Sequence, residues 1–271
     1  MIAIDRPYMK RPERLFEAYI FDLDGTVYLG DALLPTVGET ITALRERGKR
    51  TLFLSNNPTQ SRAGYAKKLA RLGLPTPPDE IVNSSYVMVD FLRQEMPGAR
   101  LFVVGEASLR QELEAAGFAQ TADANEVEAV IASFDRTFNY AKLQLAFDAI
   151  NNGARFFATN GDRYCPVPGG GQPDAAAVIA AIEACTNTRV EVIVGKPSSY
   201  MARAILRLAD TPPSECIMIG DRLETDVLMG LNSGMAGALT LTGATSEAEL
   251  AASAIRPTYV IRRLAELLDT E

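Results

Sequence analysis

Short apolar runs alternate with helix-length amphipathic patterns along almost the whole chain. No other feature of the sequence constrains the fold as much. Residues 18–23, 50–54, 101–104, 129–132, 155–159, 190–194, 215–219, 237–241 and 259–261 read as buried strands. Helical periodicity fills 36–47, 61–72, 84–95, 107–116, 141–151, 174–184, 198–209 and 224–231, with a closing helix from 263. Gly48 and Gly73 end the first two helices, and the Pro-rich 74–78 and Gly/Pro-rich 161–173 stretches read as loops. Repeated strand–helix–strand units specify an α/β fold with parallel strands and helices on both faces. Ligands of such sheets bind beyond the carboxyl ends of the strands. The residues that follow each strand are therefore the candidates for function.

At 271 residues, the length suits one large domain or two modest ones. A 47% hydrophobic and 23% charged composition argues against long disorder or a fibrous repeat. The chain has no histidine. That removes Ser-His-Asp and Cys-His catalysis, histidine proton shuttles and histidine-ligated zinc together. Acid–base chemistry must then rest on Asp, Glu, Lys, Tyr or Cys. The net charge of −7 disfavours a nucleic-acid partner, whose phosphates an acidic surface repels. Cys165, Cys185 and Cys216 form no CxxC and no even framework, which predicts a reducing compartment. Residues 1–14 are charged and carry no apolar signal core, and the longest apolar run, 175–182, is too short for a bilayer. A soluble cytoplasmic protein without a membrane partner is expected.

Four polar clusters follow predicted strands. The first is Asp22-Leu-Asp24-Gly25-Thr26. Residues two apart in an extended segment share a face. Two carboxylates there are costly unless a cation or a proton lies between them. An ordinary turn would explain this cluster if it stood alone. The second is Ser55-Asn56-Asn57-Pro58, whose small donors suit a phosphate oxygen but equally suit a turn or helix cap. The third is Gly195-Lys196-Pro197, a lysine placed directly after an apolar run. The fourth, Gly220-Asp221-Arg-Leu-Glu224-Thr-Asp226, gathers three carboxylates at one strand end. Asp221 there can complete a hard-cation site with Asp22, and oxygen ligands suit Mg²⁺. Asp226 reads as an orienting neighbour of the metal waters or of Lys196, and Glu224 as a solvated residue.

The ordered set of these four clusters resembles the haloacid-dehalogenase (HAD) superfamily, over essentially the whole chain after the first dozen residues. Ser55 and Lys196 are 141 residues apart, about ninety more than a core sheet requires. With the Ser-Asn-Asn and Gly-Asp-Arg-Leu-Glu-Thr-Asp forms, this places the chain near the NagD and p-nitrophenyl phosphatase branch. The resemblance implies a three-layer, doubly wound, Rossmann-like core, residues 1–98 and 189–271. An inserted α/β cap at 99–188 would select substrate.

It further implies a Mg²⁺-dependent phosphatase of small phosphorylated metabolites, working through an aspartyl-phosphate. Asp22 would be the nucleophile and Asp24 the acid and base. Lys196, Ser55, Asn56, Asn57 and Gly25 would surround the phosphate. The metal would be held by Asp22, Asp221 and the backbone carbonyl of Asp24, with Asp226 behind. Thr159, Asn160, Asp162 and Arg136 of the cap are the candidate substrate contacts, although the first three also suit a turn and Arg136 an exposed loop. A homodimer through the cap is implied as well. A phosphotransferase or mutase, a dehalogenase and a receiver-like phospho-signalling protein remain as alternatives. A dehydrogenase is disfavoured because no GxGxxG follows the first strand.

Overall fold

The computed structural model describes residues 10–167 and 169–269. Residues 1–9 of the N-terminal segment assessed above lie outside the described residues. Two compact units are present. One comprises Met1–Leu54, Lys68–Thr76 and Ala202–Glu271; the other comprises Ser55–Lys67 and Pro77–Met201. Among the described residues no helix is long and apolar enough to cross a membrane.

The first unit is built on parallel strands in the order Tyr259–Ile261, Ala236–Thr240, Cys216–Gly220, Ala18–Asp22, Arg50–Ser55. Every residue of Ala18–Asp22 and Cys216–Gly220 is buried. Strands covered on both faces need apolar side chains in both directions, which is why these segments are unbroken apolar runs. Ala18 lies opposite both Cys216 and Arg50, and Phe21 opposite both Ile219 and Phe53. Chain order reverses between Ala18–Asp22 and Cys216–Gly220. The switch point of the sheet therefore falls between the two strands that end in aspartates.

The second unit has its own parallel sheet, ordered Val192–Ile193, Arg155–Ala158, Ala129–Ala132, Leu101–Val104. Helices Tyr140–Asn151 and Ala175–Thr186 share one apolar cluster with it, containing Val130, Ala146, Phe156 and Ile182. Adjacent strand residues face opposite ways. Phe157 therefore meets the other face, where the Phe91 ring of helix Ser84–Glu95 lies 5.0 Å from both Phe157 and Tyr200. That packing explains the extent of this unit. The expected insert, 99–188, falls wholly inside it, and 77–98 and 189–201 belong to it too. Side-chain caps fix its helix starts: Asn83, Asn139 and Asp174 accept from the amides of Tyr86, Lys142 and Ala175.

Three local features differ from the periodicity reading. Within the expected 161–173 loop, Tyr164–Val167 and Gly170–Pro173 pair as an antiparallel hairpin, with Gly169 at φ +85° beside it. The expected helix at 224–231 begins instead with a π-helical turn, Leu223–Val227, before Leu228–Asn232 continues as α-helix. The closing helix from 263 is a 3₁₀ turn, Leu264–Leu267. A small hairpin, Tyr28–Leu29 with Ala32–Leu33, and the helix Glu247–Ala252 add elements that the periodicity did not signal.

Candidate active site

In the first unit, Asp22, Asp221 and Asp226 converge. All three are buried, and each offers a carboxylate oxygen within 4.8 Å of the others. The fold brings them there in two ways. Asp22 and Gly220 end neighbouring strands, so Asp221 emerges beside Asp22. The π turn then carries Asp226 back over Gly220, where a Cβ would overlap the Asp226 carboxylate. The Arg222 amide donates to Asp226 Oδ2 at 3.1 Å and fixes that return. Such a single wide turn is often found where a helix must aim a functional side chain.

The loop after Ala236–Thr240 closes on Asp221. Ala244 N donates to Asp221 Oδ2 at 2.6 Å, and Thr245 N to the Asp221 carbonyl at 3.1 Å. A Cβ at Gly243 or at Gly25 would overlap the Asp221 carboxylate, and Gly25 has φ +91°. Glycine is therefore required at both positions by close approach. Gly25 N donates to the Tyr28 carbonyl at 2.8 Å, and Thr242 Oγ1 donates to the Gly25 carbonyl at 2.7 Å. The Asp24 side chain stands outside the three-carboxylate group. Its Oδ2 accepts from Tyr28 Oη at 3.3 Å.

Three buried carboxylates so close repel one another unless a cation offsets them. Every donor in the group is a hard oxygen, with no thiolate or imidazole. The residues present fit Mg²⁺ rather than a soft metal.

In the second unit, Ser55 Oγ accepts from Asn57 N at 3.1 Å and lies 3.0 Å from Tyr65 Oη. Tyr65 Oη donates to the Asn57 carbonyl at 2.9 Å. Its single proton being used there, the Ser55 hydroxyl is the donor of the pair. Asn57 itself forms a turn, accepting from Thr59 N and Thr59 Oγ1 at 2.9 and 2.7 Å. Asn56 instead meets the backbone of Lys196: Lys196 N donates to Asn56 Oδ1 at 2.7 Å, and Asn56 Nδ2 to the Lys196 carbonyl at 3.3 Å. Thr159 and Asn160 are fully buried, and both hydrogen-bond inside the unit. Asp162 is half-buried beside them. Arg136 is exposed and grips Glu106 with two contacts, 2.6 and 2.7 Å, which hold the Glu106 carboxyl below its ordinary range. Glu224 is exposed.

Tyr65, Asp174, Ser133 and the 243–245 loop were not anticipated as neighbours of motif residues. Only the loop carried a signal, since it follows a predicted strand of the same sheet. Tyr65 and Asp174 look like ordinary residues of a helix and a helix start.

The model of haloacid dehalogenase-like hydrolases matches residues 19–119, and a HAD-hydrolase-like model matches residues 193–267. The sugar-phosphatase AraL of Bacillus subtilis (strain 168) is 40% identical over 230 residues, 85% of each chain. The chain belongs to the haloacid dehalogenase-like hydrolases. Its fold is that of the family's NagD-type branch. The 4-nitrophenylphosphatase from Thermotoga maritima is 34% identical with a TM-score of 0.88, covering 93% of this chain and 96% of its own. NagD from E. coli K-12 is 30% identical with a TM-score of 0.85, covering 93% and 98%. In this HAD hydrolase, then, the acidic group lies at the switch point where ligands of doubly wound sheets bind.

Proposed function

We propose that this HAD-family phosphatase hydrolyses small phosphomonoesters, sugar phosphates among them, in two steps through an aspartyl-phosphate on Asp22. The observation that carries the reading is the convergence of buried Asp22, Asp221 and Asp226 at adjacent strand ends. Support comes also from the phosphatase names of the relatives. Phosphomonoesters resist attack because their oxygens are negative, so a catalyst must neutralise that charge and align a nucleophile. Mg²⁺, held by Asp22, Asp221 and the Asp24 carbonyl with Asp226 beside them, would supply that neutralisation between carboxylate and phosphate.

Asp22 attacks phosphorus and the ester P–O bond breaks, while Asp24 delivers a proton to the leaving oxygen. Asp24 then takes a proton from a water that attacks phosphorus, releasing inorganic phosphate and restoring Asp22. Tyr28 donates to Asp24 Oδ2 at 3.3 Å and orients the carboxyl for this exchange. Ser55 and Lys196 take the roles of phosphate ligands. In a chain without histidine a carboxyl pair is the economical solution for such work, and Asp22 and Asp24 supply it.

The test is phosphate release from p-nitrophenyl phosphate and a panel of sugar phosphates, with Mg²⁺ or EDTA, by wild type and Asp22→Asn. Mg²⁺-dependent release that disappears in the variant is expected. No release from any ester by folded, Mg²⁺-supplied wild type would overturn the reading.

A further inference from the structure

We infer that Asp162 is a positioning residue for Lys196, acting through the carboxamide of Asn56 rather than by touching the substrate. The inference rests on the reading of Lys196 as a phosphate ligand. Asp162 Oδ2 accepts from two side-chain amides, Asn56 Nδ2 at 2.8 Å and Asn160 Nδ2 at 2.9 Å. A carboxylate only accepts, so it compels Asn56 to turn Nδ2 toward it. The amide oxygen is then left facing the Lys196 N–H, at 2.7 Å. The second Nδ2 hydrogen reaches the Lys196 carbonyl at 3.3 Å. The reversed amide would set oxygen against carboxylate and N–H against N–H, and would release the Lys196 backbone.

The support behind Asp162 is buried and continuous. Asn160 Nδ2 also donates to Asp174 Oδ1 at 3.0 Å, and that oxygen accepts from Ala175 N at the start of helix Ala175–Thr186. Asn160 Oδ1 accepts from Thr159 Oγ1 at 2.9 Å, which lies 2.8 Å from Ser133 Oγ. Gly195 completes the fit. A Cβ there would come within 2.6 Å of the Thr159 carbonyl and 2.7 Å of Asn56 Oδ1. The backbone leading into Lys196 thus sits directly on this network. The network gives Thr159, Asn160, Asp162 and Asn56 a common structural role.

The experiment compares wild type, Asp162→Ala, Asp162→Asn, Asn56→Ala and the Asp162→Ala/Asn56→Ala pair. Each is assayed with Mg²⁺ on p-nitrophenyl phosphate and on sugar phosphates, with inorganic phosphate as competitive inhibitor. A misplaced Lys196 affects every ester alike. Asp162→Ala should lower kcat/KM about 10- to 100-fold on all substrates, as loss of a supporting partner does. It should weaken inhibition by inorganic phosphate in parallel. The pair should be no worse than Asn56→Ala alone, because both act along one chain of contacts. Asp162→Asn keeps one accepting oxygen and should lose less; it serves if the alanine variant does not fold. A loss confined to sugar phosphates, with p-nitrophenyl phosphate turnover and phosphate inhibition unchanged, would make Asp162 a substrate contact and overturn the inference. Additive losses in the pair would overturn it as well. Wild type inactive on every ester would sink the phosphatase reading, and this inference with it.

Discussion

Gly243 has no room for a methyl group. A Cβ there would enter the Asp221 carboxylate, and a Cβ at Gly25 would meet the same carboxylate oxygen. Gly243→Ala should therefore push Asp221 off its position and cost on the order of 1–3 kcal/mol as an overpacking change. The measurement is the urea midpoint together with the Mg²⁺ concentration giving half-maximal activity, and both should worsen. Unchanged values would mean that the loop yields without disturbing Asp221. Tyr65 makes a second residue-scale case. Its hydroxyl joins Ser55 Oγ to the Asn57 carbonyl inside a buried site. Tyr65→Phe removes both hydrogen bonds, leaves their partners in place and should lower stability by about 1 kcal/mol. Chemical denaturation at equal slope checks this.

Helix Ala107–Ala115 packs against helix Ser84–Glu95, and Glu112 faces the start of that neighbour. Burial raises the Glu112 carboxyl above its ordinary value, against the opposing pull of Arg62 and a hydrogen bond from Asn83. Among the described residues, Glu112 Oε2 has no hydrogen-bond partner. A carboxyl raised in the folded state binds its proton more tightly there than when unfolded. Its contribution to stability is then fullest at low pH and declines as pH rises from the ordinary value, 4.5, through the folded one. Glu112→Gln should raise the melting temperature at neutral pH, and the gain should vanish toward acid. A gain independent of pH would place the effect elsewhere. Glu106 runs the other way. Arg136 lowers its carboxyl, so that pair helps above the unfolded value and is lost as pH falls through the folded one. Because the Arg136 side chain is half exposed, its effect is small, about 0.5 kcal/mol.

At the scale of the whole molecule, the acidic centre makes stability depend on a ligand. An ion that binds three clustered carboxylates in the folded state alone stabilises by mass action, about 2.7 kcal/mol at one hundred times its dissociation constant. Mg²⁺ should therefore raise the melting temperature, EDTA should reverse the rise, and Asp221→Asn should blunt it. The readout is independent of turnover. A flat response in wild type would show that these carboxylates do not hold the ion.

The α/β class, the parallel strands, most element boundaries and the positions of Asp22, Asp221 and Lys196 at strand ends were legible in the chain. Their signals are local: unbroken apolar runs, helix caps, and polar residues where a run stops. Leu101–Val104, Ala129–Ala132 and Ser84–Glu95 begin and end where the periodicity placed them. Asn56, Thr159, Asn160 and Asp162 were less legible. A polar side chain at a strand end looks alike whether it faces a ligand or another backbone. Only the fold shows that Asn56 is spent on the Lys196 backbone, that Asp174 backs Asn160, and that a π turn lays Asp226 over Gly220. Those are contacts between residues as far as 140 positions apart. Spacing along the chain carries no trace of them, because a hydrogen bond depends on distance in space and on which side of each group is already satisfied.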